Sequence, residues 1–320
     1  MVQKIISTLF ITLFLCFKSN AQEQLTNGTK WYDTQGNTIN AHGGGFIEWN
    51  GYYYWIGENR RQGVLVSCYR SKDLVQWEFR GNLLTKDSHP ELDKANIERP
   101  KIIYNEDTKQ FVMWMHYEYN GNYDYARAAV AFSSDIEKPF TFVKSFRPMG
   151  NMSRDCTLYK DKDGTAYFLS AARENYDLML YKLTPNFLDV KEQIATLWYG
   201  GHREAPAIVK RGNYYFMITS GCTGWVPNQA KYAYSKSIAG PWSSLIDIGN
   251  NTTFHSQSTF ILSVENNNET QYIYVGDRWD GRRYFASTYI FLPLTFPTEN
   301  SMVLKWQEEA PFIKNISDIK

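Results

Sequence analysis

The sequence predicts an all-β fold, a five-bladed β-propeller with four antiparallel strands in each blade. Five stretches share one layout, in which a polar residue leads into an apolar strand, a short polar turn and an aromatic strand. The leading residues lie 56, 57, 49 and 53 positions apart, at His42, Glu98, Asp155, Glu204 and Gln257. This spacing is typical of propeller blades rather than of helical solenoids. Apolar and polar residues alternate along most segments without a long helical periodicity, which also favours strands.

The blades can be followed in order along the chain. Each of the five stretches supplies the two inner strands of one blade, and the residues after it supply the two outer strands. The predicted outer strands lie within residues 64–79, 126–143, 178–194, 230–245 and, for the last blade, 282–296 with 301–307. Four strands and their turns need about fifty residues, so the period fits a complete blade. Because an open ring would leave unpaired sheet edges, we expect Lys30–Asp33 to supply a strand that helps to close it.

The beginning of the chain has the layout of a secretory signal. Residues 1–21 contain a lysine near the start, an apolar run over Ile5–Phe17 and a small residue at the end, which predicts cleavage before Gln22. We therefore expect a signal peptide over 1–21, a single propeller domain over 22–320 and an exported protein, either periplasmic or secreted.

Composition narrows the possible partners. The net charge of +1 provides no basic field for nucleic acid, and no second apolar segment is long enough to span a bilayer. We expect a monomer. Aromatic residues make up 16% of the chain, with 10 Trp and 23 Tyr. They suit both blade packing and the binding of sugars, because a flat ring covers the C–H face of a pyranose.

Neither the cysteines nor the acidic turns predict a metal site. Outside the leader, Cys68, Cys156 and Cys222 are too few and too scattered for a disulfide framework or a zinc site. We expect three buried thiols, with one disulfide plus a free thiol as the alternative. The segment Asp161–Gly164 resembles the start of a calcium loop but lacks the other ligands and the closing Glu, so we interpret it as a turn. No cofactor is expected.

In a propeller the five leading side chains converge on one funnel around the central axis. Cleavage of a glycosidic bond requires an acid that protonates the leaving oxygen and a second group that handles water, and inversion places the two roughly 6.5 to 9.5 Å apart. A carboxyl that stays protonated near neutral pH needs burial or a negative neighbour, and Asp155 is a candidate neighbour for Glu204. Each acid is alternatively a plain ion-pair partner of a nearby Arg.

Six motifs resemble those of glycoside hydrolase family 43 and are most similar to its exo-β-1,3-galactanase branch. They are AHGGGFIEWNGYYYWIGE, IERPKIIY, SRDCTLYKDKDGTAYFLSA, EAPAIVKRGNYYFMITSGCTGW, SQSTFI and YVGDRWDGRR. The resemblance covers nearly all of 22–320 and implies a five-bladed propeller with inverting chemistry. It implies that Glu204 is the general acid and that Asp155 tunes its pKa. The Asp that the family uses as base on the first blade is missing, since His42 and three glycines stand there.

In the galactanase branch, the resemblance implies that Gln257 holds the water and that Glu98 lies close to the reacting sugar. A neutral amide is a very weak base, although its carbonyl oxygen can orient a water molecule. His42 is the rival, because a neutral imidazole is a competent base. Its alternative role is structural, as a histidine hydrogen-bonded beneath the ring.

The resemblance places further residues around the terminal sugar: Glu58, Arg99, Tyr123, Asn175, Thr223, Trp225 and Asn228, with His42 counted among them. Any of these side chains has an alternative scaffold role, such as Arg99 pairing with Glu98. The first hypothesis is exo-acting release of galactose, with inversion, from the β-1,3-galactan backbone of arabinogalactan. The alternatives are an α-L-arabinofuranosidase or galactofuranosidase of the same family, and a glycan-binding propeller without catalysis.

Overall fold

The computed structural model of the chain describes residues 24–266 and 269–311. These residues form five sheets, each built from four consecutive strands in sequence order, and all strand pairs are antiparallel. The predicted five-bladed propeller with four strands per blade is therefore confirmed. The predicted signal peptide, 1–21, lies outside the described residues.

The strands follow one another from the inside of each blade to its outside. Blade 1 contains β1 (His42–Trp49), β2 (Tyr52–Glu58), β3 (Val64–Ser71) and β4 (Glu78–Thr85). Blade 2 contains β5 (Ala95–Asn105), β6 (Gln110–Tyr119), β7 (Asn122–Ser133) and β8 (Thr141–Phe146). Blade 3 contains β9 (Cys156–Lys160), β10 (Ala166–Ala172), β11 (Asp177–Leu183) and β12 (Val190–Leu197). Blade 4 contains β13 (Arg203–Arg211), β14 (Tyr214–Gly221), β15 (Lys231–Ser235) and β16 (Ile246–Asp247). Blade 5 contains β17 (Gln257–Asn266), β18 (Glu269–Arg278), β19 (Thr288–Thr295) and β20 (Val303–Leu304).

Helical structure in the described ranges is limited to single turns. The 3₁₀ turns are Lys86–Ser88, Pro90–Leu92, Pro148–Gly150, Thr253–His255 and Tyr284–Ala286. Within residues 24–266 and 269–311, none of these helices has the length and apolarity that crossing a membrane would require.

Hydrophobic side chains fill the spaces between adjacent blades. Tyr54 and Ile56 of β2 share one buried cluster with Met113 of β6. The next residue, Trp114, points to the other face and packs on Phe168 of β10 at 4.6 Å between ring centroids. Successive residues of a strand point to opposite faces, and blade 2 packs against a neighbouring blade on each face. The middle of β6, Phe111–Met115, is therefore apolar at every position.

The ring closes between blade 5 and blade 1 through the residues that precede β1. The Asn27 side chain accepts from Phe291 N at 2.7 Å and donates to Phe291 O at 2.9 Å, so it continues the ladder of β19 beside the short β20. Trp31 is fully buried between Trp55 of blade 1 and Phe291 of blade 5. The predicted strand at Lys30–Asp33 is only an isolated bridge between Tyr32 and Thr38. The closure is made by side-chain packing, by Asn27 and by backbone contacts of Thr26 with Glu309 and of Gly28 with Tyr289.

A β-bulge accompanies the leading residue in four of the blades. The pairing register shifts directly after the leading residue in β1, β5 and β13, and one residue later in β17. In the first three of these strands the following residue has a left-handed backbone, with φ of 57° at Gly43, 51° at Arg99 and 53° at Ala205. Bulges bend a strand and redirect its side chains. In β5, β13 and β17 the leading side chain lines the central funnel, whereas His42 of β1 is buried outside the lining.

The sequence predicted three buried thiols and a plain turn at Asp161–Gly164, and one of these expectations needs a correction. Cys68, Cys156 and Cys222 are all free thiols, but Cys222 is only half-buried. Its position in the turn after β14 leaves it near the funnel rather than in a core. Asp161 forms a tight turn, with Gly164 N donating to Asp161 O at 3.0 Å, and its carboxylate pairs with Lys210 at 3.3 Å.

Candidate active site

The inner strands begin at the rim of a cavity of roughly 230 Å³ on the propeller axis. The turns between the second and third strands of the blades surround this same end, because antiparallel neighbours reverse direction. Nine of the twelve predicted site residues line the cavity: Glu58, Glu98, Arg99, Tyr123, Asp155, Asn175, Glu204, Trp225 and Gln257. Four side chains that were not predicted also line it: Arg60, His116, Arg154 and Trp279.

Glu204 is held by two amide groups. Its Oε1 accepts from Gln257 Nε2 and its Oε2 accepts from Asn175 Nδ2, each at 3.0 Å. The side chain is buried, and burial together with the negative charge of Asp155 raises its pKa from 4.5 to about 8, against the opposing effect of Arg99. A carboxyl of this kind is largely protonated at neutral pH, as a general acid must be.

Arg99 connects the acid to the water-handling side of the cavity. Its Nε lies 2.9 Å from Asp155 Oδ2, and its two terminal nitrogens donate to Ser258 O and to Gln257 Oε1. The expected alternative, a pair with Glu98, is not formed. The reason is the bulge at Arg99, whose left-handed backbone turns its side chain toward blades 3 and 5.

The amide of Gln257 has a partner at each hydrogen-bonding position. Its Nε2 donates to Glu204 Oε1 and to Ser220 Oγ, both at 3.0 Å. Its Oε1 accepts from Arg99 and from Trp279 Nε1, the latter at 2.9 Å. An amide oxygen has two lone pairs, so a water molecule can bond to this oxygen only in place of one of these two donors.

A charged network forms the opposite wall of the cavity. Arg60 donates to Glu58 Oε2 at 2.9 Å and to Glu98 Oε1 at 2.9 Å. Burial raises the pKa of Glu58, with Arg60 opposing and Glu98 adding to the effect. Glu98 is also buried, but contacts with His116, Arg60 and Tyr123 outweigh burial and hold its pKa well below the usual range. The pKa values of Glu58 and Glu98, on the same wall, are thus shifted in opposite directions. Both carboxyl groups present oxygens that can bind sugar hydroxyls.

His116 lies directly across the hairpin from Glu98, with which it is paired in register. Its Nε2 contacts the buried Glu118 Oε1 at 2.7 Å, and its Nδ1 lies 3.2 Å from Glu98 Oε2. The two acids outweigh burial and raise the pKa of His116 to about 9. Ligand atoms of His116, Glu98 and Asp155 lie within 4.8 Å of one another. Both carboxylates already pair with an Arg, which opposes a cation at this place.

Two tryptophans cover the cavity near Gln257. Trp225 and Trp279 contact edge to face at 5.5 Å between centroids. Asn228 does not line this cavity. It bonds both backbone groups of Gly221, at 2.8 and 2.9 Å, and donates to Thr223 Oγ1 at 2.7 Å. With Thr223, Asn228 therefore holds the loop that carries Trp225, and it lines a smaller adjoining cavity with Trp225, Gln257 and Trp279. Contact of Asn228 and Thr223 with the sugar stays a prediction.

His42 lies beneath the cavity, where the structural role predicts it. It is 1% exposed, its Nδ1 lies 2.8 Å from Asp277 Oδ1, and its Nε2 lies 3.2 Å from the hydroxyl of Tyr289. Its ring stacks on Tyr289 at 4.5 Å. Both nitrogens have partners and neither lines the cavity, so the geometry supports neither a base nor a direct sugar contact for this residue.

Two strained turns carry the amides that hold Glu204. Arg173, Glu174 and Asn175 have φ of 50°, 56° and 62°, and the run Thr253–His255 has φ of 49°, 57° and 60°. Left-handed backbone costs a non-glycine residue roughly 1–2 kcal/mol. The first run ends at Asn175 and the second lies just ahead of Gln257. Strain of this kind persists where the surrounding structure over-determines the conformation, commonly at functional sites.

Sequence cues existed for some of the unpredicted residues. His116 occupies the cross-strand position from Glu98, which hairpin pairing could have identified. Arg154 precedes Asp155, and Arg60 lies two residues after Glu58. Trp279 stands within a motif of the resemblance, but nothing in its spacing shows that its indole reaches Gln257. That contact depends on how the turn after β18 folds back.

Comparisons with known proteins indicate the family of the chain. A profile of the glycosyl hydrolases family 43 matches residues 45–276. An exo-β-1,3-galactanase from Clostridium thermocellum is 48% identical with a TM-score of 0.87, covering 92% of this chain and 69% of that chain. An exo-β-1,3-galactanase from Phanerochaete chrysosporium, solved with galactose, is 37% identical with a TM-score of 0.81, covering 86% of this chain and 65% of that chain.

Two further relatives are covered by this chain to very different extents. A family 43 β-1,3-galactosidase, solved with galactodeoxynojirimycin, is 33% identical with a TM-score of 0.85, covering 89% of this chain and 99% of that chain. A xylan 1,3-β-xylosidase from a Vibrio species is 24% identical over 196 residues, which are 55% of this chain and 35% of that protein. The chain thus spans about a third of the length of this curated relative. The family profile covers well over half of the sequence and the propeller agrees with it, so the chain belongs to glycosyl hydrolase family 43.

Proposed function

We propose that the protein is an exo-acting, inverting hydrolase that releases galactose from the β-1,3-galactan backbone of arabinogalactan. The observation that carries the proposal is the placement of Glu204, whose raised pKa suits a proton donor and whose carboxyl is fixed against Gln257 in a small axial cavity. The similarity to exo-β-1,3-galactanases supports galactose as the sugar. The small cavity volume suits a single terminal residue.

The contacts suggest how a proton cycle closes. Glu204 gives its proton to the glycosidic oxygen as the C1–O bond breaks, and water attacks C1 from the opposite face. Inversion therefore requires the sugar to enter between Glu204 and Gln257 and to break their 3.0 Å contact. The water replaces one N–H donor at Gln257 Oε1 and passes its proton to that oxygen. Once galactose has left and the contact has re-formed, Gln257 Nε2 gives a proton to the Glu204 carboxylate, from which it is 3.0 Å away. This leaves Gln257 in its imidic form, which returns to the amide when solvent takes the proton from Oε1 and gives one to Nε2. In this scheme Asp155 keeps the pKa of Glu204 high, and Glu98 with Glu58 binds sugar hydroxyls.

Product analysis tests this proposal. Wild type, Glu204→Gln and Gln257→Ala are compared on β-1,3-galactooligosaccharides and de-branched arabinogalactan, with Glu192→Gln on the exposed face of β12 as a matched control. We expect galactose as the sole early product, first as the α anomer in NMR spectra. Both cavity variants should lose about 10²- to 10⁴-fold in kcat, as expected when a proton-transfer group is removed, whereas the control should retain activity.

The alternative functions give different results in the same experiment. Release from arabinosides or galactofuranosides but not from galactan would indicate another specificity within the family. Binding of galactan without turnover at high protein concentration would indicate a glycan-binding propeller. A β anomer as the first product would refute inversion.

We also propose that the protein is exported and monomeric. The proposal of export rests on the signal-like layout of residues 1–21. Cell fractionation should find the protein in the periplasm or the medium, with a mature chain beginning at Gln22. Light scattering should give the mass of one chain. A cytoplasmic protein with an intact N-terminus, or a larger mass, would contradict these expectations.

A further inference from the structure

The two oxygens of Glu204 distinguish the two flanks of the cavity. Oε1 faces Gln257 and Oε2 faces Asn175. In inversion the water and the leaving sugar lie on opposite faces of the anomeric carbon. If Gln257 marks the water side, as the proposed function requires, the Asn175 flank is the side on which the leaving part of the chain emerges.

An aromatic surface begins directly beyond Asn175. Tyr176 and Tyr199 are 43% and 77% exposed, and the ring of His202 lies 4.1 Å from that of Tyr176 between centroids. The guanidinium of Arg173 lies over both tyrosines, 4.5 Å from the ring centroid of Tyr199 and 5.2 Å from that of Tyr176. We call these four residues, Arg173, Tyr176, Tyr199 and His202, the leaving-side platform. It lies on turns at the same end of the propeller as the cavity, since β10 ends just before Arg173 and β13 begins just after His202.

The platform is exposed but well ordered by hydrogen bonds. Buried Asp177 accepts from Arg173 Nε at 2.6 Å and from Arg173 Nη2 at 3.0 Å, and also from Gly200 N at 2.7 Å. The two turns are thereby joined through one carboxylate. A further bond from His202 N to Tyr176 O, at 3.1 Å, connects them again. These bonds fix the Arg173 side chain and the backbone of both turns, so the turns lose little conformational entropy when a ligand binds.

We propose that the leaving-side platform binds the sugars of a β-linked galactan that follow the cleaved bond, beyond the first leaving residue. The tyrosine rings cover the C–H faces of pyranose units, and the phenol and guanidinium groups bond their hydroxyls. This inference rests on the proposed function, since the position of the acid and of the water sets the direction of the chain. It makes the enzyme prefer long chains although it removes one sugar at a time.

The opposite rim offers a matched comparison. Phe285 is 40% exposed and lies under the guanidinium of Arg61 at 5.0 Å, so it resembles Tyr176 in exposure and in its cationic neighbour. It lies on the turn after β18, beyond Trp279 on the Gln257 flank. An exo-acting enzyme has no chain to bind on that side.

The experiment measures kcat/KM on β-1,3-galactobiose and β-1,3-galactohexaose for wild type, the double variant Tyr176→Ala with Tyr199→Ala, and Phe285→Ala. We expect the hexaose-to-biose ratio of kcat/KM to fall about tenfold in the double variant, the scale of losing aromatic contacts. The ratio should stay at the wild-type value in Phe285→Ala. As a second readout, the inactive Glu204→Gln protein should bind hexaose more weakly when it also carries the two tyrosine substitutions.

Other outcomes are equally informative. An unchanged ratio in the double variant, or a loss confined to Phe285→Ala, overturns the platform while leaving galactose release intact. A wild type that releases no galactose from either substrate overturns the proposed function and the platform with it. Thermal unfolding of each variant shows whether a general loss of activity reflects misfolding, while the ratio and the hexaose affinity are read only on folded protein.

Discussion

Removing the charge of Asp155 should shift the pH dependence of catalysis. Asp155 is the second largest cause of the raised pKa of Glu204, after burial, and Arg99 opposes both. In Asp155→Asn the repulsion disappears, and Arg99 loses its carboxylate partner at 2.9 Å. Its positive charge then acts on Glu204 without compensation. Both changes favour the ionised carboxylate, so the pKa of Glu204 must fall.

We expect a decrease of about one to two pH units, which corresponds to ~1.4–2.7 kcal/mol. Starting from a pKa of about 8, the protonated fraction of Glu204 at pH 7 falls from roughly nine-tenths to between about a half and a tenth. Activity requires the protonated form and is lost as the pH rises through this pKa. The basic limb of the profile should therefore move to lower pH, and kcat/KM at pH 7 should fall about two- to tenfold from protonation alone.

The assay is the pH profile of kcat/KM on β-1,3-galactobiose between about pH 4.5 and 9.5, a range that spans the expected pKa values. Asp163→Asn, in the exposed turn of the same blade, is the control and should leave the basic limb in place. Any loss of kcat/KM that persists in Asp155→Asn near pH 5 reports contact of Asp155 with the sugar, because Glu204 is protonated there in both proteins. A basic limb that stays in place, or moves to higher pH, would refute the assignment of Asp155 as the group that tunes Glu204.

Three more predictions follow from contacts described above. Trp31→Ala should lower the free energy of unfolding by about 3–5 kcal/mol in chemical denaturation. As a control, Tyr32→Ala, at a position 45% exposed, should change the free energy of unfolding by less than about 0.5 kcal/mol. Equal effects of the two substitutions would exclude Trp31 as the closing residue. Arg60→Met should raise the already elevated pKa of buried Glu58 further. The melting temperature of this variant should therefore drop relative to wild type as the pH rises from about 5 to 8. A difference in melting temperature that does not depend on pH would contradict the ion pair. His42→Gln should keep the acidic limb of the pH profile of kcat/KM, since His42 lies outside the cavity. Loss of that limb would instead indicate that His42 is the base.

The fold could be predicted because it repeats. Five copies of one hairpin pattern fix the number of blades and bring His42, Glu98, Asp155, Glu204 and Gln257 to one axis without any knowledge of packing. The closing segment has no second copy to compare with. Its contacts with blade 5 and the residues after it come from isolated backbone bonds, one amide side chain and one buried indole, and none of these produces a strand pattern in the sequence.

The site was predicted less completely, because partners depend on backbone details that single residues do not reveal. The left-handed residue in β5 turns Arg99 away from Glu98, its neighbour in sequence, and toward Asp155. Arg60 takes the place beside Glu98 instead. The resemblance also gives positions without their contacts, so the bonds by which Asn228 holds the loop of Trp225 could not be predicted from it.

The two left-handed turns beside Glu204 have a consequence for heat tolerance. Both conformations are intrinsically unfavourable and are held by local contacts, such as the bonds from Phe254 N to Asn250 Oδ1 at 2.6 Å and from Ala230 N to Thr253 Oγ1 at 2.7 Å. Regions of low local stability open before a protein unfolds as a whole. On warming, the turns at 173–175 and 253–255 should relax while the blades remain packed, and the acid would lose its fixed orientation. The temperature at which catalysis stops is then set by six residues at the mouth of the propeller, and lies below the temperature at which the propeller melts.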